Sequence, residues 1–160
     1  MDFLTSPKAT NLSLYSLPGV LLLAAIPHWW SIHQCMTKNV NGGWKNQNPR
    51  SFVASLNFKS ASGKKLSELE KKVLRAQAAQ QNGFEWFGFW AAAVLAGNLA
   101  HLPHDELNRM TVVYLVSRVL YNFAYVLLDG FAPSLIRTAV FQVSIIAGLR
   151  LIFMAGNRLA

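Results

Sequence analysis

The sequence predicts an all-α integral membrane protein, built as a bundle of four transmembrane helices. Hydrophobic residues make up 52% of the 160-residue chain and charged residues only 14%. A soluble domain of this size has too small a core to bury so much apolar surface, whereas lipid covers the outer faces of a membrane bundle. The formal net charge of +8 is concentrated between the first two apolar stretches, which is typical of a connection beside a membrane.

The first predicted helix spans about residues 12–35. Residues 9–37 contain no Asp, Glu, Lys or Arg, and about 20 such residues are enough to cross a bilayer. Pro18 and Pro27 predict a tilt or a kink in this helix. The chain has a single cysteine, Cys35, so no internal disulfide is possible, and its thiol is expected to pack near the end of the helix.

The next segment, residues 38–66, is predicted to be a long basic loop. Its turn signals are Asn41-Gly42-Gly43, Asn48-Pro49 and Ser62-Gly63. Basic connections between membrane helices face the cytosol, so the loop is expected on that side. Because the basic residues lie between apolar spans, they do not indicate nucleic-acid binding. A connection of this length can also cover the mouth of an active site.

Three further helices are predicted at about residues 67–100, 105–128 and 133–155. The first of them begins with Ser67 and carries Glu70 three residues later, which is the pattern of a capping box. Its first turns are charged and its later part is apolar, so it is expected to project from the membrane on the basic side. The chain is therefore interpreted as one domain in which these helices follow one another through short turns.

Ionisable residues interrupt the apolar stretches at Glu85, Arg118 and Arg137. A charge in lipid costs about 2.5–3.5 kcal/mol, so such residues face the interior of a bundle or water. Helical spacing places Tyr121 and Tyr125 on the same side of their helix as Arg118. Glu85 and Arg118 are expected at similar depth on neighbouring helices, and they are predicted to form a structural ion pair that holds these helices together.

Three stretches of the chain resemble the motifs of one membrane family. They read RAQAAQQNGFEWF at 75–87, RVLYNFAY at 118–125 and APSLIRT at 132–138. In this order they resemble the MAPEG family, the membrane-associated proteins of eicosanoid and glutathione metabolism, and Asn48-Pro49-Arg50 is similar to fungal-type members. The resemblance covers about residues 67–155. It implies a homotrimer in the endoplasmic reticulum or a related membrane, with glutathione bound between subunits and accessible from the cytosol.

The resemblance also implies a glutathione-dependent transferase or peroxidase that acts on a lipophilic substrate. Its implied catalytic residues are Arg137, which would stabilise the thiolate, together with Tyr121 and Tyr125. A thiolate is the reactive form of a thiol, and an arginine is always charged and favours it. The candidate glutathione-binding residues are Arg75, Asn82, Glu85, Arg118 and Thr138.

Departures from the family pattern keep alternative functions open. Ala78 stands where eicosanoid-forming members carry an arginine, and Arg75, one turn earlier, is the nearest substitute. With fewer cationic anchors for glutathione, the protein could be an isomerase or cyclase of a lipophilic metabolite, in which the same polar residues act as acid–base and electrostatic groups. A non-catalytic lipid-binding protein is a third hypothesis. No metal site is expected, because the four histidines do not converge by spacing.

Overall fold

The computed structural model describes residues 10–160, and this part of the chain is built of helices without strands, which confirms the predicted all-α class. A short 3₁₀ turn, Val40–Gly42, follows the first helix. The helices are α1 (Ser16–Thr37), α2 (Pro49–Ala61), α3 (Glu68–Leu99), α4 (His104–Leu127) and α5 (Phe131–Leu159).

Helix α2 corrects the prediction that residues 38–66 form a loop, so the described chain has five helices where four were predicted. Asn48 and Pro49, which were interpreted as a turn, begin a helix instead. Proline suits the first helical position because its φ is already helical and an N–H there has no partner within the helix. Phe52 and Leu56 lie one turn apart on the buried face of α2.

The buried face of α2 packs against α1 and α3. It contacts a cluster that includes Cys35 and Val73, so the predicted packing of the cysteine thiol is confirmed. Lys59 Nζ also forms a salt bridge with Glu70 Oε1 at 2.6 Å. The Ser67–Glu70 capping box is present as predicted. Burial raises the pKa of Glu70, but hydrogen bonds from Lys59 and Ser67 outweigh it and hold this pKa below its usual range.

Two helical segments are long and apolar enough to cross a membrane, namely α4 and Ser134–Leu159 of α5. Helix α1 contains no charged residue but is interrupted by prolines and histidines, and α3 carries several charges, so neither reaches the same hydropathy. The crossing of the membrane by α1 and α3 stays a prediction. Large apolar side chains on α4 and α5 face outward, as contact with lipid requires, among them Leu120, Phe123, Leu135, Ile146 and Phe153.

Helix α3 contacts each of the other four helices. Gly83 permits the close approach of α1, because a Cβ at this position would lie 2.7 Å from Ala24 Cβ. Deeper in the core, Trp90 stacks on Tyr114 with ring centroids 4.0 Å apart. The indole Nε1 of Trp90 donates a hydrogen bond to Ser16 Oγ. At 32 residues, α3 is about 48 Å long, which exceeds the hydrocarbon thickness of a bilayer.

The two ends of the molecule carry different connections. At one end, Asn11 Nδ2 donates to Asn98 Oδ1 at 2.6 Å, and the backbone N–H of Leu12 donates to Asn108 Oδ1 at 2.8 Å. The segment that precedes α1 therefore meets the ends of α3 and α4. At the other end lie α2 and the basic connection, together with the α4–α5 turn, where Arg75 contacts Asp129.

Candidate active site

A cavity of about 240 Å³ opens between α3, α4 and α5, towards the end that carries the basic connection. Helix α3 contributes one amide side chain, α4 two phenols, and α5 a cation, two hydroxyls and an aromatic ring. None of these described lining residues is acidic. They are Asn82, Tyr121, Tyr125, Ser134, Arg137, Thr138 and Phe141.

The two tyrosines and Arg137 form one wall of the cavity. Tyr121 and Tyr125 are one turn apart on α4, with ring centroids separated by 5.3 Å. The guanidinium carbon of Arg137 lies 4.7 Å from the centroid of the Tyr125 ring, which is a cation–π contact. Gly130, with a φ of 101°, turns the chain so that α5 begins at Phe131. Arg137 is therefore in the second turn of this helix.

Arg118 lies behind this wall and is only 3% exposed. Its Nη2 donates to Asn82 Oδ1 at 2.9 Å, and its guanidinium carbon lies 4.7 Å from the centroid of the Tyr121 ring. Its Nη1 is buried and has no hydrogen-bond partner in the described structure. The buried guanidinium thus contacts two residues that line the cavity, the Asn82 amide and the Tyr121 ring.

The predicted ion pair between Glu85 and Arg118 was wrong. Glu85 is exposed, and its Oε1 accepts a hydrogen bond from Gln81 Nε2 at 2.9 Å. Three residues along a helix correspond to about 300° of rotation. When Asn82 faces Arg118, the Glu85 carboxylate therefore points about 60° away from that direction. The structure does not place Glu85 with the cavity-lining residues, and its role in binding glutathione stays a prediction.

Arg75, the predicted substitute for the missing arginine, is engaged elsewhere. Its Nη1 lies 3.0 Å from Asp129 Oδ2, and its Nε donates to the carbonyl oxygen of Val126 at 3.2 Å. The charge of Arg75 is the main cause that holds the pKa of Asp129 below its usual range, and the backbone N–H of Gly130 assists. Arg75 thus ties α3 to the α4–α5 turn.

The pairing of Asp129 with Arg75 bears on whether a carboxylate neutralises the charge of Arg137. Asp129 is the acidic residue nearest to Arg137 in the sequence, eight residues before it across the α4–α5 turn. Within residues 10–160, no salt bridge involves Arg137. Its cation faces the cavity beside the Tyr125 ring without a neutralising acid.

Sequence reasoning did not identify two lining residues, Ser134 and Phe141. They lie one turn before and one turn after Arg137 and Thr138, so the helical period of α5 alone was a sufficient signal. Ser144, two turns after Arg137, does not line the cavity. Ser144 is buried and donates to the carbonyl oxygen of Phe141 at 2.6 Å, which satisfies its hydroxyl locally.

Comparison with known proteins gives one match. The sequence profile of the MAPEG family matches residues 14–157 of the chain. No curated protein and no solved structure matches it. The matched range includes α1 to α4 in full and most of α5, and it contains every residue that lines the cavity.

Proposed function

Because the chain belongs to the MAPEG family of membrane proteins, we propose that it is a glutathione-dependent transferase or peroxidase acting on a lipophilic substrate. In this proposal the cavity between Asn82 and Arg137 receives the thiol of glutathione. One observation carries it: Arg137 lines the cavity without a carboxylate partner among the described residues. A cation without an acid partner, beside a pocket free of acidic side chains, is suited to stabilise an anion that arrives with a ligand.

The chemistry follows from the charge of the site. A free thiol has a pKa of about 8.5, and its thiolate is the nucleophile. Each unit by which the site lowers that pKa corresponds to about 1.36 kcal/mol of preference for the thiolate. The positive charge of Arg137, which lines the cavity, would lower the thiol pKa directly, and the buried charge of Arg118 would add to this effect. The thiolate sulfur then forms a bond to an electrophilic carbon, and the leaving group departs with its electron pair, while Tyr121 or Tyr125 donates a hydrogen bond to the developing charge.

The size of the cavity supports a homotrimer as the functional unit. Sites for small molecules usually enclose about 300–1,000 Å³, whereas this cavity encloses about 240 Å³ and is open on one side. A single chain would leave much of a tripeptide uncovered. A neighbouring subunit that closes the open side would complete the site, and a lipophilic substrate would enter from the bilayer.

The proposed location is the membrane of the endoplasmic reticulum, with the basic connection and α2 in the cytosol. The positive-inside rule supports this orientation, since the connection between α1 and α3 carries a concentration of lysines. The cavity lies towards the same end, since its lining residues Tyr125 and Ser134 flank the α4–α5 turn. Water-soluble glutathione would then reach the site directly from the cytosol.

A second candidate is an isomerase or cyclase that does not use glutathione. One observation favours it: Arg75 is occupied by Asp129, so Arg137 and the deeper Arg118 are the described cations beside the cavity. Glutathione carries two carboxylates in addition to its thiol and needs more anchors than these. In this alternative, Arg137 and the tyrosines would stabilise charge on a lipophilic metabolite. In the third hypothesis the protein binds lipid without catalysis, and it would need neither glutathione nor stabilisation of charge on a reacting metabolite.

The test is to purify the protein in mild detergent and to titrate it with glutathione, following thiolate formation by ultraviolet difference absorbance and conjugation with an aryl halide. Wild type should form the thiolate at neutral pH, and Arg137→Ala should not. Arg158→Ala is the matched control, because Arg158 is an exposed arginine at the far end of the same helix. If wild type binds no glutathione, the glutathione-dependent function is wrong, and the isomerase or cyclase becomes the leading hypothesis.

A further inference from the structure

The cavity of the candidate active site extends along α5 and ends at an aromatic ring. Its lining residues on α5 run from Ser134, near the basic end, to Phe141, which is about 10 Å along the helix. On α4, the lining residue furthest from the basic end is Tyr121. The ring centroids of Phe141 and Tyr121 are 5.7 Å apart. These two rings form the deep end of the cavity, which we call the aromatic floor.

Helix α3 holds the Phe141 ring of the floor from another side. The rings of Phe141 and Trp86 meet edge to face, with centroids 5.1 Å apart. Trp86 lies one turn deeper than Asn82 and is not among the described residues that line the cavity. The guanidinium carbon of Arg118 lies 5.8 Å from the centroid of the Phe141 ring. Contacts with Trp86, Tyr121 and Arg118 therefore leave the Phe141 ring little freedom to turn aside.

The support of the floor continues through α3 to a glycine on α5. Trp86 and Phe89 also meet edge to face, with ring centroids 5.5 Å apart. The Phe89 ring in turn lies against Gly148, where a Cβ would come within 2.4 Å of its Cε1 atom. Because protein interiors are close-packed, only a glycine at position 148 leaves room for this ring. Gly148, Phe89, Trp86 and Phe141 thus form one continuous row of contacts.

The floor limits the space beside the proposed thiolate. One helical turn, about 6 Å, separates Arg137 from Phe141 along α5. A sulfur beside the Arg137 guanidinium would therefore have room on its deep side for about one aromatic ring. A second fused ring would meet the Phe141 ring, which Trp86 supports from behind. A misfit of a single methylene in an apolar pocket already changes kcat/KM by about 10–200-fold.

We propose that the aromatic floor selects substrates by size, so that the protein conjugates compact, single-ring electrophiles and discriminates against those with a second fused ring. Phe141 is the specificity-determining residue, because its ring would contact the substrate. Gly148 is a positioning residue that acts through Phe89 and Trp86. This proposal rests on the proposed glutathione-dependent function and names the substrate class of the same cavity.

The experiment compares two aryl chlorides, 1-chloro-2,4-dinitrobenzene and 1-chloro-2,4-dinitronaphthalene, with the full-length protein in mild detergent. In both reactions the thiol proton passes to solvent, the sulfur of glutathione bonds to the ring carbon, and chloride leaves with the electron pair of its bond. Each kcat/KM is divided by the rate constant of the uncatalysed reaction with glutathione. Wild type should prefer the single ring about ten-fold or more, and Phe141→Ala should reduce this preference about ten-fold. Phe153→Ala, at an exposed phenylalanine of the same helix, is the control and should leave the preference unchanged.

A second set of variants tests the positioning role of Gly148. Gly148→Ala should displace the Phe89 ring and reduce the preference about three-fold. Gly156→Ala is the matched control, because a Cβ there would meet no described atom within 4 Å. Phe89→Leu removes the edge-to-face contact with Trp86 and should reduce the preference in the same direction. Gly148→Ala should have no further effect in this background, because leucine lacks the Cε1 and Cζ atoms that the new Cβ would meet.

Thiolate formation, followed by ultraviolet difference absorbance, separates this proposal from the proposed function. If wild type forms the thiolate but uses both chlorides equally, or if Phe141→Ala and Phe153→Ala have the same effect, size selection by the floor is overturned and the glutathione-dependent function stands. A further effect of Gly148→Ala in the Phe89→Leu background would overturn the positioning role of Gly148. If wild type forms no thiolate, the glutathione-dependent function fails and the size selection fails with it.

Discussion

The charged residues of α3 and its neighbours are arranged differently at the basic end and beside the candidate active site. At the basic end, Glu70 pairs with Lys59 and Asp129 with Arg75. Beside the cavity, Arg118 and Arg137 have no carboxylate partner among the described residues. The pairs fix helices and turns to one another. The arginines without an acid partner are expensive to keep in a membrane protein, and in the proposed function their charge serves a ligand.

The strongest test of this comparison is to remove the cation of the active site. Arg137→Ala should lower turnover by a factor on the order of 10²–10³, which is the usual effect of losing one preorganised electrostatic group. Arg137→Lys should recover part of the loss, since lysine keeps the charge without the planar fork. Stability should change little, because Arg137 has no ion pair to lose. Normal turnover together with a lower melting temperature would assign Arg137 to the scaffold.

The second test breaks a pair at the basic end. Glu70→Gln keeps an acceptor for the capping box but removes the charge opposite Lys59. Hydrogen bonds to charged groups contribute about 1.5–3 kcal/mol, and Lys59 can still reach water, so a loss of about 1.5 kcal/mol is expected. Hydrogen exchange should show faster opening of α2, with catalysis unchanged. Glu68→Gln is the control, because the Glu68–Lys71 pair is exposed and such pairs contribute little.

The sequence predicted most of the helices but not the partners of the charged residues around the candidate site. The capping box and the long apolar stretches placed α3, α4 and α5 because these signals are local. Asn48-Pro49 is compatible with both a turn and a helix start, and α2 has only a short buried face, so α2 was missed. The partners of the charged residues depend on how whole helices rotate, which local spacing does not determine. That is why Glu85 was paired wrongly and the Arg75–Asp129 pair was not foreseen.

A third test asks whether Arg118 stabilises the fold or serves a ligand. A buried charge without an acid partner carries a desolvation penalty of several kcal/mol, which an apolar side chain of similar volume removes. Arg118→Met would also leave the amide oxygen of Asn82 without its donor, at a cost of about 1–3 kcal/mol. These effects nearly cancel, so the melting temperature should stay close to that of wild type while glutathione binds more weakly. A large loss of stability with unchanged binding would place Arg118 among the structural pairs.

The smallest expected effect concerns the Arg75–Asp129 pair, in which Asp129 is exposed and Arg75 is largely buried. The folded-state pKa of Asp129 is lowered, chiefly by Arg75, so the stability that this pair contributes is present above the unfolded-state pKa of about 3.9. It is lost as the pH falls through the lower pKa of the folded protein. Asp129→Asn should therefore melt slightly below wild type at pH 7, and the difference should vanish as the pH falls below about 4. Arg75→Gln should reproduce this behaviour, and the double variant should be no less stable than either single variant.

The melting temperatures of wild type and of these variants are measured by circular dichroism between pH 3 and pH 7. Additive losses, or a difference that persists unchanged at pH 3, would show that the two residues act independently and that the α4–α5 turn is held by other contacts.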